Sequence, residues 1–225
     1  DEQEEKNNVF ESSSGHFTES TEDENTTTKF DFSALEDPSK ENFYESIEKV
    51  KKDIKRSQYP ELSTSITKAM QTKPDEKAII AIYDLILSIV KQDASLYIAL
   101  SKASFFHSMI ITTDPTKKLS LEIFGYLFRN NPKLIKVSLT KSITTLIQYD
   151  PESMVIMLCH YIDQLPPQED SFPVIGIFID QYNSILETSA ENNFICCLYH
   201  LLSTNQLFKE QLIENVSPIL MKACS

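Results

Sequence analysis

From Pro38 onward, apolar positions return every three or four residues in stretch after stretch, the period of helices with one face turned to a core. Between residues 74 and 91, Ile79, Ile80, Ile82, Tyr83, Ile86, Leu87 and Val90 make a stripe wide enough to need cover on more than one side. Asp, Asn and Pro punctuate these stretches. Asp37, Pro38 and Ser39 open a helix expected over 39–58, whose late cations Lys51, Lys52, Lys55 and Arg56 suit the negative end of its dipole. Pro60 starts a short helix to residue 71, Pro74 and Asp75 start the next, and Asp93 opens another that runs to 111. Asp114–Pro115, Asn131–Pro132 and Asp150–Pro151 predict helices over 115–129, 132–148 and 151–164. After a break at Pro166 and Pro167, helices are expected over 169–187, 189–203 and 205–223. The start signals share one chemistry: the Asx side chain caps free backbone N–H groups, and Pro fills a position where no N–H is needed.

The helices recur. Those beginning near 74, 114, 150 and 189 are 40, 36 and 39 residues apart, and the ones between them align on Leu96, Leu134, Phe172 and Leu207, spaced 38, 38 and 35. Each of the latter is followed by a second apolar group, at Phe105/Met109, Ile143/Ile147, Gln181/Ile185 and Val216/Leu220, where only Gln181 is out of place. A helix pair repeating at this interval predicts an α-solenoid, in which one pair cannot cover its own apolar face and its neighbours stack to do so.

The segment Lys117–Pro132 resembles the third helix of an armadillo repeat with its exit turn, and Leu134–Ile147 resembles the first two helices of the next. The resemblance to the armadillo/HEAT group spans residues 40–225. It implies an all-α, right-handed α–α superhelix of about four to five helix pairs. It also implies a non-catalytic scaffold that offers a concave groove to a protein partner. Two departures matter. Armadillo repeats carry a Gly between their first and second helices, and the matching stretches here have none except Gly176, so the helices are expected to run unbroken as in HEAT pairs. The Asn ladder and Trp residues of peptide-binding arrays are replaced by Asp84, Tyr126, His160 and His200, and the chain has no Trp. Those four, flanked one turn away by Lys77, Glu122, Arg129 and Asn193, form the candidate partner-binding face, with Tyr126 as its anchor because Tyr is enriched at interface centres.

Composition narrows the classes. Three glycines in 225 residues leave little for hairpins, dinucleotide turns or phosphate-cradling loops. The net charge of −12 is uneven: residues 1–37 hold 12 acidic and two basic groups, so the remaining 188 carry only −2. Residues 1–37, rich in Ser, Thr, Asn and acids, read as a disordered acidic tail ahead of a repeat domain over 38–225. Within that tail Phe30–Leu35 is the one spot with the make-up of a short groove-docking motif, and Ser20, Thr21 and Ser33 each have an acid three residues later, as acid-directed kinases accept. Neither part offers the basic field that nucleic acid or anionic lipid requires, although Lys49, Lys51, Lys52, Lys55 and Arg56 form a local patch. The longest apolar run, Ala78–Val90, is interrupted by Asp84 and is too short to cross a bilayer. The chain opens on Asp1 without a basic-then-apolar leader, so a cytoplasmic or nuclear location is expected.

Reactive groups are sparse. Cys159, Cys196, Cys197 and Cys224 form no C-x-x-C pair and read as small apolar residues in a reducing compartment, with a disulfide or metal site as the alternative. His160 and His200 take equivalent positions in successive helices, yet no His, Cys or Glu pair has the spacing of a helix-borne zinc site. With no G-x-S-x-G elbow, P-loop or kinase triplet, neither a catalytic group nor a cofactor is expected. The competing reading is the regulatory repeat region of a larger signalling enzyme, with the acidic stretch as its linker. Under either reading Leu212, Val216, Ile219 and Leu220 of the last helix lack a cover, so that end is expected to pack on further repeats or on another chain.

Overall fold

A computed structural model describes residues 30–130, 139–162, 172–204 and 206–223; the side chains at 130, 160–162, 172 and 204 are outside the description. The chain divides into residues 1–30 and a unit over Asp31–Ser225. Among the described residues the regular elements of that unit are all helical, with no strand. Its helices are α1 (Phe43–Asp53), α2 (Tyr59–Gln71), α3 (Glu76–Val90), α4 (Leu96–Lys102), α5 (Phe105–Ser108), α6 (Asp114–Asn130), α7 (Thr140–Tyr149), α8 (Pro151–Ile162), α9 (Phe172–Asp180), α10 (Tyr182–Ile185), α11 (Ala190–Thr204) and α12 (Gln206–Ala223).

Their contacts run largely in chain order. α1 packs on α3, α3 on α6, α6 on α8 and α8 on α11, so these five helices form a row with one or two helices between successive members. Among the intervening helices α2 packs on α4 and α5 and α7 on α8 and α9, while α12 packs on α11. Helices α3, α6, α8 and α11 begin 38, 37 and 39 residues apart. Contacts between them keep that offset: Cys197 Sγ lies 4.0 Å from the Cys159 carbonyl, and Ser189 hydrogen-bonds Glu152.

The stripes explain the order. α1 buries Phe43, Ile47 and Val50, one face only, and it sits at the end of the row. α3 buries residues on nearly all sides, from Ala78 and Ile79 to Ile89 and Val90, because α1, α4 and α6 cover it from three directions. Through this region runs an aromatic column of Tyr83, Phe105, Phe106, Phe124 and Phe128, with successive centroids 6.4, 6.0, 6.0 and 5.4 Å apart. A second cluster, Phe178, Phe194 and Tyr182, joins α9, α10 and α11 at 4.6 and 5.7 Å. The Tyr83 hydroxyl donates to the Ile110 carbonyl (3.1 Å) and accepts from the Ile110 N–H (2.9 Å), pinning the loop that leads into α6. Burial first of all pushes the Tyr83 phenol above its ordinary pKa.

Several boundaries differ from the pattern. α1 starts at Phe43 and stops at Asp53, because Asp37 spends its carboxylate on the Ser39 N–H and hydroxyl (3.0 and 2.7 Å) and residues 38–42 form turns. The break before α2 is held by Gln58, whose side chain accepts the Lys55 N–H at 2.9 Å. The stretch expected as one helix over 93–111 is split at Ser104, which takes a left-handed φ of 60°. The stretch over 169–187 is split after Asp180, while Gly176 lies inside α9. Helix pairs without glycine at the junction are therefore broken here all the same.

Two larger expectations are corrected. The tail is not solvated up to Asp37. Asp31–Glu36 form a 3-10 turn in which Phe32, Ala34 and Leu35 are buried against α1 and α2. Asp31 caps the turn through the Ser33 N–H (2.9 Å), and Glu36 ties it to α2 through Lys68 (2.9 Å) and Ser65 (3.3 Å). An apolar triplet that docks beside its own flanking acids has no helical period to betray it. The expectation of a bare last helix also fails in part. Leu212 and Val216 are buried, with α11 packed against α12, and Ile219 shares a cleft with Ile179 and Tyr182. Those positions turn back toward the preceding helices; Ile213 and Met221 are the large apolar residues of α12 that stay exposed.

Candidate functional site: the face of the central row

The row of α1, α3, α6, α8 and α11 carries the candidate partner-binding residues. At its α1–α3–α6 end the charged groups are committed to one another. Lys51 of α1 reaches Glu48 (2.8 Å) on its own helix and Asp84 (3.0 Å) on α3. Burial pulls the Lys51 ammonium down, but the two carboxylates outweigh it and hold the group above its ordinary pKa. Lys91, at the end of α3, lies 3.8 Å from Glu122 and 5.7 Å from the centroid of the Tyr126 ring, both on α6. Lys77 sits 4.7 Å over the Tyr44 ring of α1. Lys117 does the same over Tyr149 of α7 at 4.6 Å. These contacts tie successive helices together, and exposed pairs of this kind stabilise by less than about 1 kcal/mol each.

Counted from the first residue of each helix, Asp84 and Glu122 hold the same place, and Tyr126 lies one turn further on. The aligned ladder of Asp84, Tyr126, His160 and His200 is thus not one row of equivalent positions. Tyr126 is half-buried beneath Lys91 and is poorly placed to anchor a partner. Arg129 is exposed near the end of α6. The His160 side chain lies outside the described residues, whereas Asn193 and His200 are exposed on α11.

At the α8–α11 end the chemistry changes. Asn193, Cys196 and His200 are spaced by three and four residues and form one exposed stripe, with Tyr199 beside it at 66% exposure. Ile156 of α8 is 40% exposed and, at the 37–38-residue offset, stands at the level of Asn193. Nothing in the sequence singles out Tyr199 and Ile156, because both fall within apolar stretches whose other members are core, such as Leu158, Leu198 and Leu201.

No protein-family model, curated protein or solved structure matches the chain.

Among the described residues no three His, Cys, Asp or Glu side chains are grouped to hold a metal ion, and no helix is long and apolar enough to cross a membrane. Cys159 and Cys197 are buried, with the Cys197 thiol against the Cys159 carbonyl, and Cys196 is exposed.

Proposed function

We propose that the helices of Asp31–Ser225 stack as an armadillo/HEAT-like right-handed α–α superhelix that serves as a non-catalytic scaffold for a protein partner, bound along the central helix row. The near-constant helix spacing and the nearest-neighbour packing order support the stacked arrangement. One observation carries the binding reading: Tyr199 and Ile156 stand out of the surface beside a polar stripe, while the charges at the other end of the row already have partners within the chain. An exposed aromatic next to an exposed aliphatic, rimmed by Asn and His, has the make-up of an interface anchor. The residues that contact the partner are then Tyr199, Ile156, Asn193 and His200, with Arg129 at the margin. Lys77, Asp84, Glu122 and Tyr126 keep the row rigid.

The test is the affinity of a purified partner, identified by capture and then measured by calorimetry, for the wild type and two variants. Tyr199→Ala with Ile156→Ser is expected to weaken binding at least tenfold, as loss of a central anchor does, and Tyr126→Ala to change it little. A partner whose affinity survives the double substitution refutes the assignment. X-ray scattering of residues 30–225 tests the shape: stacked pairs give a radius of gyration well above the roughly 16 Å of a compact globule of that length.

A further inference from the structure

Away from the central row, α2 and α4 leave a trough of about 290 Å³ between them. The small side chains of Ala99 and Ala103 open it, Tyr59 and Pro60 form its other wall, and Ile98 stands at its rim, 43% exposed. The large aliphatic side chains elsewhere on these two helices, Leu62, Ile66, Leu96 and Leu100, are buried, so Ile98 is an exception to the local pattern.

The trough has a basic side chain at each end, Arg56 at one and Lys102 at the other. At one end Arg56 contacts Asp93 through Nε at 3.7 Å, and its side chain is 72% exposed. The terminal guanidinium nitrogens remain for another acceptor. Asp93 is already engaged: it accepts the Ser95 N–H at 2.9 Å, and Ser95 foremost, with Arg56 and the Tyr59 hydroxyl further down, holds its carboxyl below the ordinary range despite partial burial. At the other end Lys102 is exposed. Seven helical residues separate Ser95 from Lys102, which sets the two ends roughly 10 Å apart. That is the length of about three residues of extended chain.

We propose that this trough is a second docking site, for a short linear peptide segment with an apolar side chain between two acidic residues three positions apart. The apolar side chain fills the space over Ala99 and Ala103 and covers Ile98. One carboxylate meets the free nitrogens of Arg56 and the other meets Lys102. The spacing of the cations sets the spacing of the acids, and the volume admits one Leu-, Met- or Phe-sized side chain. The proposal does not depend on the Tyr199 stripe, which lies on other helices.

The probe is a fluorescein-labelled peptide, Gly-Ser-Glu-Ser-Leu-Glu-Ser-Gly, titrated with the full chain and read by fluorescence anisotropy. The expected result is saturable binding that weakens several-fold when salt is raised to half-molar. Binding is lost when both glutamates of the peptide are replaced by lysine. Lys102→Ala is expected to weaken it about fivefold, the worth of one exposed charge pair, and Ile98→Glu to abolish it. Both substituted side chains are exposed, and an unchanged circular-dichroism melt verifies that the variants fold. Absence of saturation up to millimolar protein, or an affinity indifferent to Ile98→Glu and Lys102→Ala, overturns the proposal. So does saturation by anilinonaphthalene sulfonate without any peptide binding, which would assign the trough to a small organic anion instead.

Discussion

The Tyr83 hydroxyl offers the sharpest single-atom perturbation in the fold. Tyr83→Phe keeps the ring, and with it the edge contact to Phe105 at 6.4 Å, so the aromatic column is left intact. What disappears is one oxygen that both donates to and accepts from Ile110, at 3.1 and 2.9 Å. Tyr83 is fully buried, so no water takes the place of the oxygen from its side. Two hydrogen bonds at about 1 kcal/mol each, plus part of the penalty for leaving the Ile110 N–H and C=O unpaired, give an expected loss of about 2–3 kcal/mol. Ile110 is itself half-buried, and water reaching it from the loop side places the result toward the lower figure. In urea, with a slope near 2 kcal/mol per molar, the midpoint falls by about 1 M while the slope stays put. Amide exchange at Ile110 and through the loop to Thr113 accelerates in the same variant. A midpoint within about 0.2 M of wild type would mean that the hydroxyl contributes nothing, and the account of how α6 is positioned would be wrong.

Two further outcomes are expected. The Phe32–Leu35 turn is held by carboxylates whose pKa values are all lowered: Asp31 by the Ser33 N–H, Glu36 by the Lys68 ammonium, and Asp37 by the Ser39 hydroxyl. A depressed folded-state pKa contributes stability above the unfolded value and loses it as pH falls through the folded value, so the turn loosens below about pH 4; faster amide exchange at Leu35 at pH 3 than at pH 6, corrected for intrinsic rates, checks this, and pH-independent protection refutes it. Ser104 holds a left-handed φ of 60° that costs an L-residue about 1 kcal/mol; Ser104→Gly is expected to raise stability by about 0.5–1 kcal/mol in urea, and a loss of stability would show that the Ser104 side chain does more than tolerate the bend.

The helix starts were legible where an Asx side chain stands alone before a helix. Asp75 caps α3 through the Ala78 N–H at 2.8 Å, and Asp150 caps α8 through the Ser153 N–H at 3.0 Å. At α6 the pattern placed the start correctly for a different reason: Thr116, not Asp114, takes the N–H groups of Thr112 and Thr113 with its hydroxyl. The break at Ser104 had no signal, since neither Gly nor Pro marks it and Ser is an ordinary helix residue. The Phe32–Leu35 turn showed its docking composition but not its destination, because four residues carry no period. The candidate face was legible only as helices, not as a register. Alignment by apolar blocks tolerates a slip of one turn, and such a slip separates Asp84, tied to Lys51, from Tyr126, covered by Lys91.

Within the central row, α1, α3, α6, α8 and α11 meet one another in chain order. A disturbance in α1 reaches α11 through α3 and α6, and from there either through α8 or by way of α7, α9 and α10. Long-range communication of that kind attenuates at every interface, so substitutions near Phe43 and near Phe194 should combine additively, and the two regions are free to loosen or evolve independently.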